Sequence, residues 1–587
     1  MKSSTMKLFI ILFQIIAFSG CFEAKYSYQL RESGDDDSTK PQGKNVVSCN
    51  VCRATFEMAL GWVEAGDSRD EIVDKMTAVC VDLGVSTERV CHGIVDANTD
   101  IVLWIIEVRN STSSPLTPAQ FCGFWLYPDC PLDEQLYTWT LDLDFVGPKP
   151  PPQTPLPPAD DSPVMKVLQF TDVHVDPNYV PGYNAVCDEP MCCRLDQGRP
   201  VNPEDGAGYW GDYRDCDEPY HAFEDQLQEA ANRHQDIAYV IFTGDIVDHG
   251  WWATNTPYNI EIITYVRDQF ALYFPDAPLI PIVGNHEAHP TNVFSDPLKT
   301  EIPANISTVW LYELWADLWT SFPPDAKPDI LGGGMFSMEI RPGLVVIGVN
   351  TMFCYSYNMW LLYDSVDPAN ELMWLANRLL EVETTGKKAH ILAHHPSGRP
   401  DCMHFWSSQY RRIIDRFENV IVAQFHGHTH NDQFNLYYDA MDPSRPTGVA
   451  FTAGCGTPAS NRNPNYRSYK IDGDYPQSSF RVLDHETWYY NLTEANLAGP
   501  SVSPNWQLLY SFNAVYNVST QLPDELDALV HRMANDTALQ EQYWRYYVKE
   551  GDTSLAKGCD TKCLEDLVCE IVVTVHGDNS KCLELFP

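Results

Sequence analysis

Five apolar runs in this chain, each long enough for one strand, end in aspartate, histidine or asparagine. VMKVLQF (Val164–Phe170) leads at once into Thr171-Asp172-Val173-His174. IAYVIFTGD (237–245) ends in Gly244-Asp245 and offers His249 four residues later. LIPIVGNHE (279–287), KAHILAHHP (388–396) and VIVAQFHGHTH (420–430) follow the same plan. A sixth run, LVVIGVN (344–350), reaches Asn350 without a ligand-like motif, and Leu372, Leu375 and Leu379 mark a helix after it. Short apolar runs bounded by turn residues read as buried strands. A lone Gly-Asp or Asp-x-His is an ordinary turn, but five in series are not. Ligand sites of layered α/β folds gather at the carboxyl ends of strands. The expected fold is a layered α/β sandwich of mixed sheets with these residues along one edge.

The residue types define the chemistry. Carboxylate oxygen and imidazole nitrogen suit divalent first-row metals, and histidine-rich ligation favours zinc. His428 and His430 lie two apart, as do Asp172 and His174, so in extended chain each pair faces one side. A shared carboxylate can bridge two cations and offset their repulsion. The ordered set DxH, GD, GNHE, HxP and GHTH resembles the metallophosphoesterase superfamily over about residues 166–430. That resemblance implies one metal on Asp172, His174, Asp245 and His430, and a second on Asp245, Asn285, His394 and His428. It implies a two-metal-activated hydroxide attacking phosphorus in line with the departing alkoxide. His286 is the expected proton donor to that alkoxide, with His249 sharing the role or stabilising charge. His395 directly follows a ligand and should point elsewhere. His426 is either a further histidine on the ligand face or a core residue.

The remaining sequence sets the context. With 587 residues the chain exceeds one ordinary core, so two or more domains are expected. Asp+Glu number 80 against 39 Lys+Arg, a formal net charge of −41, which opposes binding to nucleic acid. MKSSTMKLFIILFQIIAFSGCFEA (1–24) reads as a secretory signal, and no later run is long and apolar enough to span a bilayer. Eighteen cysteines and sequons at Asn110, Asn305, Asn491, Asn517 and Asn535 agree with a secreted or lysosomal chain.

Cys49, Cys52, Cys80, Cys91, Cys122 and Cys130 frame a stretch in which Phe56, Leu60 and Val63, then Ile94, Ile101 and Ile105, recur at helical spacing. Arithmetic alone leaves 15 pairings open. The spacing resembles the saposin family, which implies Cys49–Cys130, Cys52–Cys122 and Cys80–Cys91 in an all-α module over 46–134 that meets lipid. IVLWIIEV (101–108) is apolar on more sides than an amphipathic helix needs. GPKPPPQTPLPPADDSP (147–163) reads as an extended linker. Residues 164–500 would form the catalytic domain and 501–587 a helical, cysteine-rich C-terminal subdomain, with Leu526, Leu529 and Met533 at helical spacing. The tryptophans Trp310, Trp315 and Trp319 could line a lipid groove, but core packing is the simpler reading.

The whole arrangement is similar to the acid sphingomyelinase family, through GDIVDH (244–249), GNHEAHPTN (284–292), HHPSG (394–398) and NPNYRSYKID (463–472). That similarity implies hydrolysis of membrane sphingomyelin to ceramide and phosphocholine. It also implies that Asn292 and Tyr466 lie near the phosphate or head group. It further implies Cys187–Cys192, Cys193–Cys216, Cys354–Cys402, Cys559–Cys563 and Cys569–Cys582, leaving Cys455 odd and Cys21 with the signal. A monomer is expected. The rivals are a secreted metallophosphodiesterase for nucleotides or other soluble diesters, and a lipid-presenting protein with an inactive hydrolase domain.

Overall fold

The computed structural model describes residues 45–127, 130–153, 158 and 161–587. The expected signal segment, Cys21 and part of the proline run lie outside them. Among the described residues twelve strands form two mixed six-stranded sheets. The first, ordered β12-β11-β10-β1-β2-β3, contains β1 (Val164–Phe170), β2 (Ile237–Phe242), β3 (Leu279–Pro281), β10 (Asn465–Asp472), β11 (Val482–Tyr489) and β12 (Gln507–Ser511). The second, ordered β4-β5-β6-β7-β9-β8, contains β4 (Phe336–Arg341), β5 (Leu344–Val349), β6 (Lys388–Ala393), β7 (Ile421–His426), β8 (Gln433–Tyr438) and β9 (Pro446–Thr452). β1, β2 and β3 run parallel, as do β5, β6, β7 and β9, while β10 lies antiparallel to β1. The parallel strands carry the near-continuous apolar runs of the sequence, because both of their faces are covered.

Among the described residues five α-helices precede the sheets: α1 (Asn45–Ala65), α2 (Arg69–Asp82), α3 (Glu88–Asn110), α4 (Pro118–Trp125) and a single turn at Glu134–Tyr137. Disulfides join Cys49 to Cys130, Cys52 to Cys122 and Cys80 to Cys91. Ser68 and Glu71 form a capping box at the start of α2, and Thr117 and Gln120 another at α4. Each cap is worth about 1 kcal/mol. The helices share a core with the second sheet's outer layer. Phe56, Ile101 and Ile105 are buried together with Leu372, Leu375, Phe405 and Trp406. Trp104 meets the rings of Trp360 and Tyr363 at 5.5 and 5.0 Å. The described part of the proline segment lies along the helix His404–Arg416. Lys149 there reaches Asp415, Glu418 and Asp439 at 2.9, 2.7 and 2.6 Å.

The chain past Pro500 is not wholly helical: β12 extends the first sheet before the helices begin. Its apolar run is only Leu508–Tyr510 beside an edge, too short to stand out in sequence. The other five bonds are Cys187–Cys192, Cys193–Cys216, Cys354–Cys402, Cys559–Cys563 and Cys569–Cys582. Cys455 is a buried free thiol, which burial pushes up to about 11. Trp315 and Trp319 are buried in the core. Asn110, Asn305, Asn517 and Asn535 are exposed. Asn491 is half-buried, with its amide nitrogen directed at Asp552 at 3.2 Å.

Candidate metal centre

Seven donors from the five strand ends converge. Nε2 of His174 lies 3.1 Å from Nε2 of His430, and His430 Nε2 lies 3.5 Å from Asp172 Oδ1. On the other side, Asn285 Oδ1 lies 3.1 Å from His394 Nε2 and 3.0 Å from His428 Nδ1. Asp245 stands between the groups. Its Oδ2 is 3.5 Å from His174 Nε2 and 3.2 Å from His394 Nε2. One carboxylate oxygen therefore serves both halves. Burial opposes the Asp245 charge, but the imidazoles of His394, His286 and His174 hold its carboxyl well below the ordinary range.

The backbone is bent to achieve this. Asp172, His174, Asp245, His428 and His430 have φ of 50°, 40°, 63°, 68° and 55°. Each such residue costs about 1–3 kcal/mol, and a cluster of them marks a functional site. Two glycines permit the close approach. A Cβ on Gly244 would lie 2.8 Å from His394 Nδ1, and one on Gly284 would lie 2.3 Å from Asp245 Oδ1. Glu287 of the GNHE segment ties the turns together by accepting from the N–H groups of Asp245, Ile246 and Gly284.

The hydrogen bonds test whether cations fit. His174 Nδ1 donates to the carbonyl of Val247 at 2.8 Å, and His394 Nδ1 to that of Thr243 at 2.6 Å. His428 Nε2 donates to Asp401 at 3.0 Å. Each partner fixes the tautomer and leaves the other ring nitrogen as a lone pair. Asn285 commits its Nδ2 to Asn292 Oδ1 at 2.9 Å, which turns its own oxygen inward. The inward ring nitrogens of His174, His394 and His428 thus gather beside the carboxylates of Asp172 and Asp245. A pair of cations satisfies this donor set, and the His and Asp residues are positioned to bind two metals.

His249 and His286 flank the first group. Their rings lie 3.9 and 4.6 Å from that of His174. His249 Nδ1 bonds to Asp217 Oδ1 at 2.8 Å, and Asp217 also accepts from Thr457 at 3.0 Å. Burial opposes protonation of His249, but the Asp217 charge and hydrogen bond outweigh it and raise the group above its usual value. Burial pushes His286 down to about 4, against the field of Asp245. Its Nδ1 meets only the carbonyl of Asp248, at 3.3 Å. Sequence reading did not find Asp217, which sits in a cysteine-rich loop without a motif.

Two assignments change. Tyr466 is fully buried on β10, its ring stacked on Phe170 and its hydroxyl 3.2 Å from His234 Nε2. It is a core residue without access to a head group. His395 does not turn away from the site. The chain leaves the strand after His394, and the His395 ring lies 4.1 Å from that of His428. Asn292 sits beside Asn285 as described, and His426 is buried in β7.

A double mixed sheet that delivers this donor set defines a metallophosphoesterase, and residues 165–432 match the family of calcineurin-like phosphoesterases. Residues 450–585 match the acid sphingomyelin phosphodiesterase C-terminal region. The chain is 39% identical to a sphingomyelin phosphodiesterase of Bos taurus over 544 residues, 92% of this chain and 84% of that protein. It is 36% identical to the protein of that name from Homo sapiens, again over 92% of this chain and 83% of the relative. A mouse (Mus musculus) cyclic GMP-AMP phosphodiesterase, SMPDL3A, is 31% identical over 73% of this chain and 94% of its own length. The chain belongs to the sphingomyelin phosphodiesterase family.

Proposed function

We propose that the protein is a metal-dependent sphingomyelin phosphodiesterase, releasing phosphocholine and ceramide. The observation that carries the lipid substrate is an apolar cavity between the N-terminal helices and the loops that flank the metal centre. Phe56, Met76 and Val102 line one wall, and Trp251, Val293 and Met359 the other. Trp251 follows His249 by two residues, and Asn292, which orients Asn285, is also on the wall. An acyl chain in this space would bring its phosphoester to the donors. A nucleotide has no use for such a cavity, so the lipid reading is preferred over a soluble diester. The saposin-like module of 46–134, the linker of 147–163 and the catalytic unit that follows act together in this reading.

Asp172, His174, Asp245 and His430 would hold one cation, and Asp245, Asn285, His394 and His428 the other, with zinc favoured by the imidazole-rich set. When bound, such a pair lowers the pKa of water and neutralises charge on phosphoryl oxygens. The protein's own residues supply the rest. Departure of the ceramide alkoxide requires a proton. His286 and His249 flank the centre where it would leave. Asp217 fixes His249 Nδ1, so a proton given by His249 leaves from Nε2. That backing favours His249 in the protonated form, while His286, neutral at its depressed value, suits hydrogen bonding to the ester.

Replacing Asp217 with asparagine tests this. A donor acts below its pKa and fails as pH rises through it. Loss of the Asp217 charge lowers the His249 value, so the alkaline limb of the pH–rate profile should move to lower pH. The rate should fall about 10²-fold, the lower end of what a general acid contributes. An unmoved limb would remove His249 from the role. The substrate itself is tested by head-group release from sphingomyelin vesicles beside hydrolysis of a nucleotide diester. Faster nucleotide turnover would overturn the lipid assignment.

No helix among the described residues is long and apolar enough to cross a membrane. Eight disulfides among the described residues, the sequons and the N-terminal signal-like segment support a secreted or lysosomal protein. Every donor comes from one chain, so a monomer suffices, with the membrane lipid met through the N-terminal helices.

A further inference from the structure

His428 is supported differently from the other donors. His174 and His394 lean on neutral backbone carbonyls, whereas His428 Nε2 donates to a carboxylate, Asp401 Oδ2, at 3.0 Å. Hydrogen bonds to an ionised acceptor are roughly twice as strong as neutral ones. The other oxygen of that carboxylate, Oδ1, lies 3.0 Å from His395 Nε2, a close approach without hydrogen-bond alignment. His395 is fully buried, its Nδ1 is engaged with the carbonyl of Pro396 at 3.1 Å, and its ring packs on that of His428.

The Asp401 backbone is anchored as well. Its carbonyl accepts from Ser356 N–H at 2.8 Å, and the next residue, Cys402, is bonded to Cys354. Tyr355 meets both rings, at 5.3 Å from His428 and 5.2 Å from His395. An acid on a stapled loop, with one oxygen on a donor histidine and the other on a stacked histidine, does more than fill space.

We propose that Asp401 is a positioning residue for the cation held by His428, with His395 pinning the carboxylate from behind. The carboxylate fixes the tautomer that turns Nδ1 of His428 toward Asn285 and makes that nitrogen a stronger donor. The support is one-sided: it strengthens the cation shared by Asn285, His394 and His428, not the one on Asp172, His174 and His430. The proposal rests on the two-metal reading above.

The test is chelator competition on the full-length protein, counting zinc released from wild type, Asp401→Asn and His395→Phe. Asparagine keeps the volume and an acceptor oxygen but lacks the charge. Wild type should hold two ions. Asp401→Asn should keep one with wild-type affinity and hold the other about 10- to 100-fold more weakly, the usual cost of losing such a partner. Its hydrolysis rate should recover as zinc is added in excess, which a collapsed loop would not allow. His395→Phe, in which Asp401 remains, should weaken the same ion by a smaller factor, about 3- to 10-fold. It carries the test if Asp401→Asn does not fold. Folded variants that retain both ions at wild-type affinity overturn the proposal. Wild type that binds fewer than two ions instead overturns the metal reading beneath it.

Discussion

Replacing Asp245 with alanine is expected to give a folded protein that no longer hydrolyses its phosphodiester. The oxygen at 3.5 Å from His174 and 3.2 Å from His394 is the one atom both donor groups share. Removing it takes a ligand from each cation and leaves two positive charges without the anion between them. A loss of about 4 kcal/mol of transition-state stabilisation corresponds to a roughly 10³-fold slower reaction. Alanine also strands the N–H of His286, which now donates to Asp245 Oδ1 at 2.9 Å, at a cost of about 1–3 kcal/mol. Asp245→Asn retains that acceptor and loses only the charge, so the two variants separate chemistry from folding. Metal content should fall in both. Undiminished activity in either, or in wild type stripped by a chelator, would contradict the bridging role.

The second large effect is expected in the cavity. Val102 projects into it from α3, and Val102→Arg would place a cation among apolar walls. Hydrolysis of sphingomyelin in vesicles should drop by about 10- to 100-fold, equivalent to about 1.4–2.8 kcal/mol of lost apolar contact. Hydrolysis of a small soluble diester should change by no more than about twofold, as for a substitution away from the chemistry. Equal losses with both substrates would contradict acyl-chain binding there. The point variant is a cleaner probe than removal of everything before Pro148. Phe56, Ile101 and Ile105 share a core with Leu372 and Trp406, so deletion would bare that face and weaken the catalytic sheets. Soluble turnover should suffer in the deletion as well.

The difference between what sequence disclosed and what it did not has a physical origin. The donors were legible because each ends an apolar run, and a buried strand that terminates in an acid or imidazole breaks its own pattern. Asp245 and His394 stand out in this way. Their supporting residues do not. Asp217 reaches His249 across 32 positions, and Asp401 reaches His428 across 27, from loops whose acids resemble any solvated acid. Only three-dimensional closure gives those carboxylates a role. The same limit explains Tyr466. A tyrosine inside a recognised segment invites a substrate role, yet strand alternation points its ring at Phe170 and His234, into the core. β12 escaped because an edge strand of five residues carries too little alternation to register.

Lys549 is buried, depressed to about 8 by desolvation, and its ammonium nitrogen donates to the carbonyl of His430. It comes from the far end of the chain, 119 positions after the residue it holds. A ribosome finishes every donor of the centre long before this clamp exists. The left-handed turn at His430 must therefore wait, unsupported from that side, until the last helices have emerged and folded back. Premature loading of metal in a half-made chain would meet a looser nest of imidazoles than the finished molecule offers.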